Sequence, residues 1–184
     1  MSETLYDLKV SLNMSEPLIW RRFSISGRTS LEELHDIIQI VMGWENNHMY
    51  QFIINERYYS DDELGTEGAR EHAAGVPLES ILKRAKRSFI YEYDFANGWE
   101  HEVYIEKIRI VDATEIKKYP LCTEGAQACP PEESGGVFGY LEIISALKDP
   151  SNESYDEVVK TYGKEFDASQ FDVDWINNNL RELL

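Results

Sequence analysis

The chain has 184 residues, 34 of them acidic and 18 basic, for a formal net charge of −16, with 42% hydrophobic and 12% aromatic residues. That apolar share can bury a substantial core, and the length suits one domain, taken here as 1–184. The charge repels a phosphate backbone, so direct nucleic-acid binding is disfavoured despite small basic clusters at Arg21-Arg22 and Lys83–Arg87. No apolar run approaches the ~18 residues that span a bilayer. The N-terminus lacks the basic start and apolar stretch of a signal peptide, which makes the cytoplasm the expected compartment.

In chain order, Tyr6, Leu8, Val10 and Leu12 alternate with polar residues over 4–13 and predict a half-buried strand. A turn at Glu16-Pro17 leads to a second strand over 18–25, expected to be antiparallel to the first. Thr29 and Ser30 precede Glu32 and Glu33 at capping-box spacing. Leu31, Leu34, Ile37, Ile38, Val41 and Met42 then follow at helical spacing up to a C-capping Gly43, with Asp36 and Gln39 on the wet face. The alternation of His48, Tyr50, Phe52 and Ile54 predicts a third strand with His48 on its inner side as a core histidine, and Arg57–Tyr59 returns beside it. Ser60 to Gly75 reads as a mobile loop long enough to act as a lid, and Pro77 to Lys86 as a short helix.

Two alternating runs surround Asn97-Gly98, the strongest short hairpin signal. With those two residues as the loop, Asp94 faces His101 across the strands with Cβ atoms about 5 Å apart. A carboxylate so placed would orient the imidazole and raise its basicity, as a general base or a metal ligand requires. The stretch Cys122 to Gly136 reads as a loop. Its Cys-x6-Cys spacing is wider than a usual zinc knuckle, and a reducing compartment disfavours a lasting disulfide. Cys122 and Cys129 are therefore expected as two reduced thiols bounding a loop that packs near Asp94 and His101. Pro130-Pro131-Glu132-Glu133-Ser134 forms a stiff approach to a helix over 137–148, with Ser134 as cap and Leu141, Ile144 and Leu147 inward. Further helices are marked by Tyr155, Val158, Val159 and Tyr162, and by Val173, Ile176, Leu180 and Leu183 behind an Asp172 cap. Strands dominate the first two thirds and helices the last, which predicts an α+β fold built on a mainly antiparallel sheet.

The residues Ile19-Trp-Arg-Arg22, Met42-Gly-Trp44, His48, Tyr93-Asp-Phe95 and Trp99-x-His101 form one half of a wider pattern. The other half is Cys122-x6-Cys129-Pro-Pro-Glu132, Gly135-Gly136, Gly139-Tyr140, Phe166-Asp and Phe171-Asp. Together they resemble the plasmid pRiA4b ORF-3-like family over nearly the whole chain. The resemblance implies no established activity. Some members carry a resolvase-like label from transposon neighbourhoods, but neither a recombinase nor a helix-turn-helix pattern stands in this chain. Carried over by position, the motif residues are His48, Asp94, Trp99, His101, Cys122, Cys129, Glu132, Gly135, Gly136 and Tyr140. The chain departs from the family where Tyr50, Glu133, Asn152 and Ser154 stand.

The sequence leaves open whether the chain is an enzyme. It is expected to be a ligand- or protein-binding module with its site between the 94–101 hairpin and the 122–136 loop. An alternative is a metal-assisted hydrolase that uses Asp94, His101 and Glu132 for acid/base work, with His48, Asp94, His101, Cys122 and Cys129 as candidate ligands of a divalent metal. A third is a mobile-element accessory protein that meets DNA through a partner.

Overall fold

The computed structural model describes residues 2–61, 70–82 and 87–183. Eight strands form one sheet: β1 (Ser2–Leu12), β2 (Trp20–Ser26), β3 (Tyr50–Ile54), β4 (Arg57–Ser60), β5 (Arg70–His72), β6 (Ser88–Tyr93), β7 (Trp99–Asp112) and β8 (Leu121–Ala126). Their order is β5-β4-β3-β6-β7-β1-β2-β8, antiparallel except for the β4–β5 pair. The described helices are α1 (Leu31–Met42), α2 (Leu78–Leu82), α3 (Gly136–Lys148), α4 (Tyr155–Tyr162) and α5 (Val173–Arg181). The α+β class expected from the order of elements is the one observed.

Tyr6, Leu8, Val10 and Leu12 of β1, Phe52 and Ile54 of β3, and Trp99, Val103 and Ile105 of β7 are buried on one sheet face. Leu31, Leu34, Ile37, Ile38 and Val41 of α1 complete that core, as their helical spacing requires. The opposite face carries charged ladders, with Arg22 between Glu106 and Glu124 and Arg109 on Asp7. The capping box uses Ser30 and Glu33, and Gly43 closes α1 in the left-handed region. Gln39 is a correction: it is buried, not on the wet face, because its amide bonds Tyr91 and Asn46. Arg21 is likewise buried, on the inner face of β2.

Further expectations change. Residues 62–69 of the presumed lid and residues 83–86 of the second helix lie outside the described residues, but Arg70–His72 pairs in parallel with β4. Gly135, not Ser134, is the cap of α3. Ser134 belongs to a single 3-10 turn, and its hydroxyl donates to Pro131 O at 2.6 Å. The α3 face buried deepest is Val137, Tyr140, Ile143 and Ala146. Leu141 and Ile144 are half-buried against the main core, and Leu147 against a smaller cluster with Val158 and Tyr162. At the C-terminus, Ile176 and Leu180 are buried but Leu183 is exposed.

Part of the expected 122–136 loop is strand β8, which pairs with β2 and forms one edge of the sheet. Its free side is occupied by a side chain. Asn177 of α5 accepts the Cys122 N–H at 2.8 Å and donates to the Cys122 carbonyl at 2.9 Å, as a neighbouring strand would. Asn177→Ala should leave both groups unpaired and cost about 1–3 kcal/mol in urea denaturation. An unchanged midpoint would show that the amide does not hold this edge.

Candidate functional site

The β6–β7 connection is longer than a two-residue turn. Tyr93 pairs with Trp99 and Tyr91 with His101, so the loop runs from Asp94 to Gly98. Asp94 adopts a positive φ of 52°, and its carboxylate accepts the N–H groups of Ala96 (3.1 Å) and Asn97 (3.4 Å) and the Asn97 side chain (2.5 Å). Burial alone would raise this carboxyl. The bonds from Asn97 and Ala96 outweigh it and hold the group below its usual range. The cross-strand pair of Asp94 with His101 therefore does not form, because Asp94 is spent on closing the loop.

Asp94 instead approaches His48. The Nε2 of His48 lies 3.7 Å from Asp94 Oδ2, 3.7 Å from Glu132 Oε2 and 3.6 Å from Glu133 Oε1. These distances are too long for hydrogen bonds and close enough for strong attraction once the imidazole is charged. His48 is not a core histidine: it precedes β3, which starts at Tyr50, and its side chain is 31% exposed. Glu132 is fixed by N–H of Glu45 (2.8 Å) and by the Tyr93 hydroxyl (3.0 Å). The same hydroxyl accepts N–H of Asn47 (2.9 Å) and of His48 (3.3 Å). Burial first, and then the bond to Glu132, push the Tyr93 phenol above its ordinary value, so it stays a donor.

The segment that carries His48 is held from the helix side. The Gln39 amide donates to Tyr91 OH at 2.9 Å, and that hydroxyl meets His35 Nδ1 at 2.7 Å. Asn46 Nδ2 points to Asp36, which leaves Asn46 Oδ1 to accept from His35 Nε2 at 2.7 Å. The pattern assigns His35 as the neutral tautomer with its proton on Nε2. Its ring stacks on Tyr50 at 3.6 Å. An open cavity of about 500 Å³ lies here, lined by Glu32, His35, Asp36, Asn46, Asn47, His48, Met49, Tyr50 and Asp61. Burial, and then the nearby charges of Glu32, Asp61 and Glu33, hold the Asp36 carboxyl above its ordinary value.

The remaining candidates lie elsewhere. His101 and Trp99 are fully buried under Trp44, with ring centroids at 5.0 and 5.6 Å, and His101 Nδ1 meets Tyr91 O at 3.2 Å. Cys122 and Cys129 are free thiols; burial pushes Cys122 up to about 11 and Cys129 further in the same direction. Tyr140 is buried with its hydroxyl unpartnered. Gly136 has a clear role: a Cβ there would stand 2.5 Å from Asn97 O, and its φ is +73°. Its lack of a side chain lets the loop after Pro131 close on the hairpin. Among the described residues no group of three His, Cys, Asp or Glu side chains is arranged to hold a metal ion. The ligand set expected for a metal is thus dispersed, with only His48 and Asp94 meeting, because His101 and Cys122 face the core. The sequence presents Trp44 and Tyr93 only as members of the wider pattern, and does not mark His35, Gln39 or Asp61 as site residues. Buried aromatic hydroxyls and amides carry no periodic signal.

A mainly antiparallel sheet covered on one face, a loop closed on a hairpin through glycine, and an acid-ringed imidazole define an α+β class. The comparisons place the chain within that class. The model of the plasmid pRiA4b ORF-3-like protein matches residues 4–175, and the chain belongs to that family. It is 32% identical over 186 residues to the uncharacterized protein y4hQ of Sinorhizobium fredii, covering 100% of this chain and 94% of the relative. The crystal structure of MM3350, a protein of unknown function from Methanosarcina mazei Go1, is 33% identical, with a TM-score of 0.80 over 94% of this chain and 97% of that one.

Two outcomes follow from this geometry. Gly136→Ala should cost about 1–3 kcal/mol in chemical denaturation, since both its φ and its contact with Asn97 must change; a neutral substitution would mean the loop does not close there. His35 and His101 are each lowered by burial from 6.5 to about 4. Each binds its proton more readily when unfolded, so each weakens the fold as pH falls from about 6.5 toward about 4. Thermal midpoints should decline across that window, and His101→Phe should flatten part of the decline. An equally steep variant curve would rule that imidazole out as a source.

Proposed function

We propose that the chain is a binding module whose pocket receives a cationic group. The observation that carries this reading is the ring of carboxylates around one imidazole: Asp94, Glu132 and Glu133 within 3.7 Å of His48 Nε2, from two separate chain segments. Glu32, Asp36 and Asp61 line the adjoining cavity, and no Lys or Arg is among its described lining residues. Like charges held this close raise the free energy of the empty pocket, and a bound cation would relieve it. Met49, 52% exposed, and Phe95, 37% exposed, offer apolar contact for the body of such a ligand beside the acids.

The test uses an octapeptide rich in Arg and Lys and its counterpart with Glu at the same positions. Titration calorimetry should show binding of the basic peptide that weakens as salt rises, and none of the acidic one. The double variant Asp94→Asn, Glu132→Gln keeps shape and hydrogen-bond acceptors, and should weaken binding about tenfold, or roughly 1.4 kcal/mol. Equal binding of both peptides, or of neither, removes the proposal. A thermal midpoint raised by zinc or manganese, and lowered again in the double variant, would favour the metal-assisted hydrolase in its place.

A further inference from the structure

Arg21 makes a second site from other residues. Only 2% of it is exposed. Nε donates to Val41 O at 2.8 Å, and Nη1 to Trp20 O at 2.8 Å and Ala126 O at 2.9 Å. A guanidinium carries five N–H donors, and these bonds use three. The two on Nη2 have no partner among the described residues. Every acceptor is a neutral carbonyl, where a buried guanidinium ordinarily meets a carboxylate. The titratable groups that act on its charge are Cys122, Cys129 and Tyr140. Burial pushes Cys122 up to about 11 and Tyr140 up to about 12, so they supply no counter-charge near neutrality.

Arg21 lines an open cavity of about 260 Å³ with Met42, Cys129, Phe171, Asp172 and Trp175. Its guanidinium stands 5.0 Å from the centre of the Phe171 ring. The arrangement depends on Gly125, where a Cβ would meet the Phe171 ring at 2.5 Å and Arg21 Cδ at 2.8 Å. Trp175 opens the far wall, 52% exposed. Asp172 is the one carboxylate among these lining residues, and its Oδ1 is turned to the N–H of Trp175, which it accepts at 2.9 Å. A buried cation with two free donors, set in an apolar, aromatic cavity, is complementary to an anion with an apolar body.

We propose that this cavity binds a carboxylate, with one oxygen on Arg21 Nη2 and an aromatic or branched apolar body against Phe171 and Trp175. A free small acid and the carboxyl terminus of a peptide present the same chemistry. The probes are phenylacetate, its neutral analogue phenylacetamide, and an Ala-Ala-Phe tripeptide as free acid and as amide. The readout is the Trp175 indole N–H signal in a nitrogen–proton NMR spectrum of the full chain. At least one free acid should shift that signal saturably, with its amide at least tenfold weaker, and whichever acid binds identifies the source. Trp175→Ala, on the exposed side of α5, should weaken that acid several-fold as followed by the amide signals of Gly125 and Ala128, while Arg21→Met should abolish the response. Where Arg21→Met fails to fold, the comparison of acid with amide in the native chain carries the test. No saturable shift with either acid, or acid and amide binding alike, overturns the proposal.

Discussion

Trp44 is the contact on which the pocket depends. Its ring lies against Tyr93 at 5.1 Å, Trp99 at 5.6 Å and His101 at 5.0 Å, across the ends of β6 and β7. Its indole N–H donates to Pro130 O at 3.1 Å. One side chain just past the C-cap of α1 therefore ties the sheet to the loop that carries Glu132 and Glu133. Gly43 makes this reach possible by turning the chain at a positive φ directly after the helix. Aromatic packing supplies the adhesion, and the indole hydrogen bond joins those of Glu45 and Tyr93 to Glu132 in fixing the loop.

Electrostatics completes the arrangement. The excess of acids is spread over the sequence, yet folding gathers several of them at one mouth. Asp94 is stabilised as a carboxylate by the loop it closes. Asp36, with less compensation, is held the other way by burial and by its acidic neighbours. Two carboxyls on the same side of the molecule thus differ in proton affinity for reasons visible in their bonds. His48 stands beside this field without a hydrogen bond from its ring to any of the three carboxylates that surround it. The Arg21 cavity has the opposite polarity, a buried cation among carbonyls and aromatic rings.

Much of the fold was legible in local patterns. The alternation in β1, the capping box at Ser30 and Glu33, and the left-handed Gly43 depend on neighbours within a few residues, and each stands where its spacing placed it. The site was legible only in part. Glu132, Glu133, Asp94 and His48 are each legible in the sequence as candidates, and the fold sets the three carboxylates around the imidazole. Their partnership is not legible there: the Asn-Gly signal implies a two-residue turn, whereas the Asp94 side chain accepts the Ala96 and Asn97 amides and makes a longer one. That change alone moved His101 opposite Tyr91 and released Asp94 toward His48. Gln39 departs from its expected place on the wet face because polarity predicts exposure, and only tertiary contacts supply the partners that allow a buried amide.

By itself, then, the sequence determined the class of fold, the caps of α1 and the Asp172 cap of α5, the inward faces of the long strands, and the family. These follow from periodicity and backbone preference, which act over short distances along the chain. Tertiary structure decided that β8 is an edge strand closed by Asn177, and that His48 meets carboxylates from two distant segments. It also decided that Cys122 and His101 face the core. Such contacts bring together residues tens of positions apart, and their energies depend on burial and exact approach, quantities that no spacing along the chain contains.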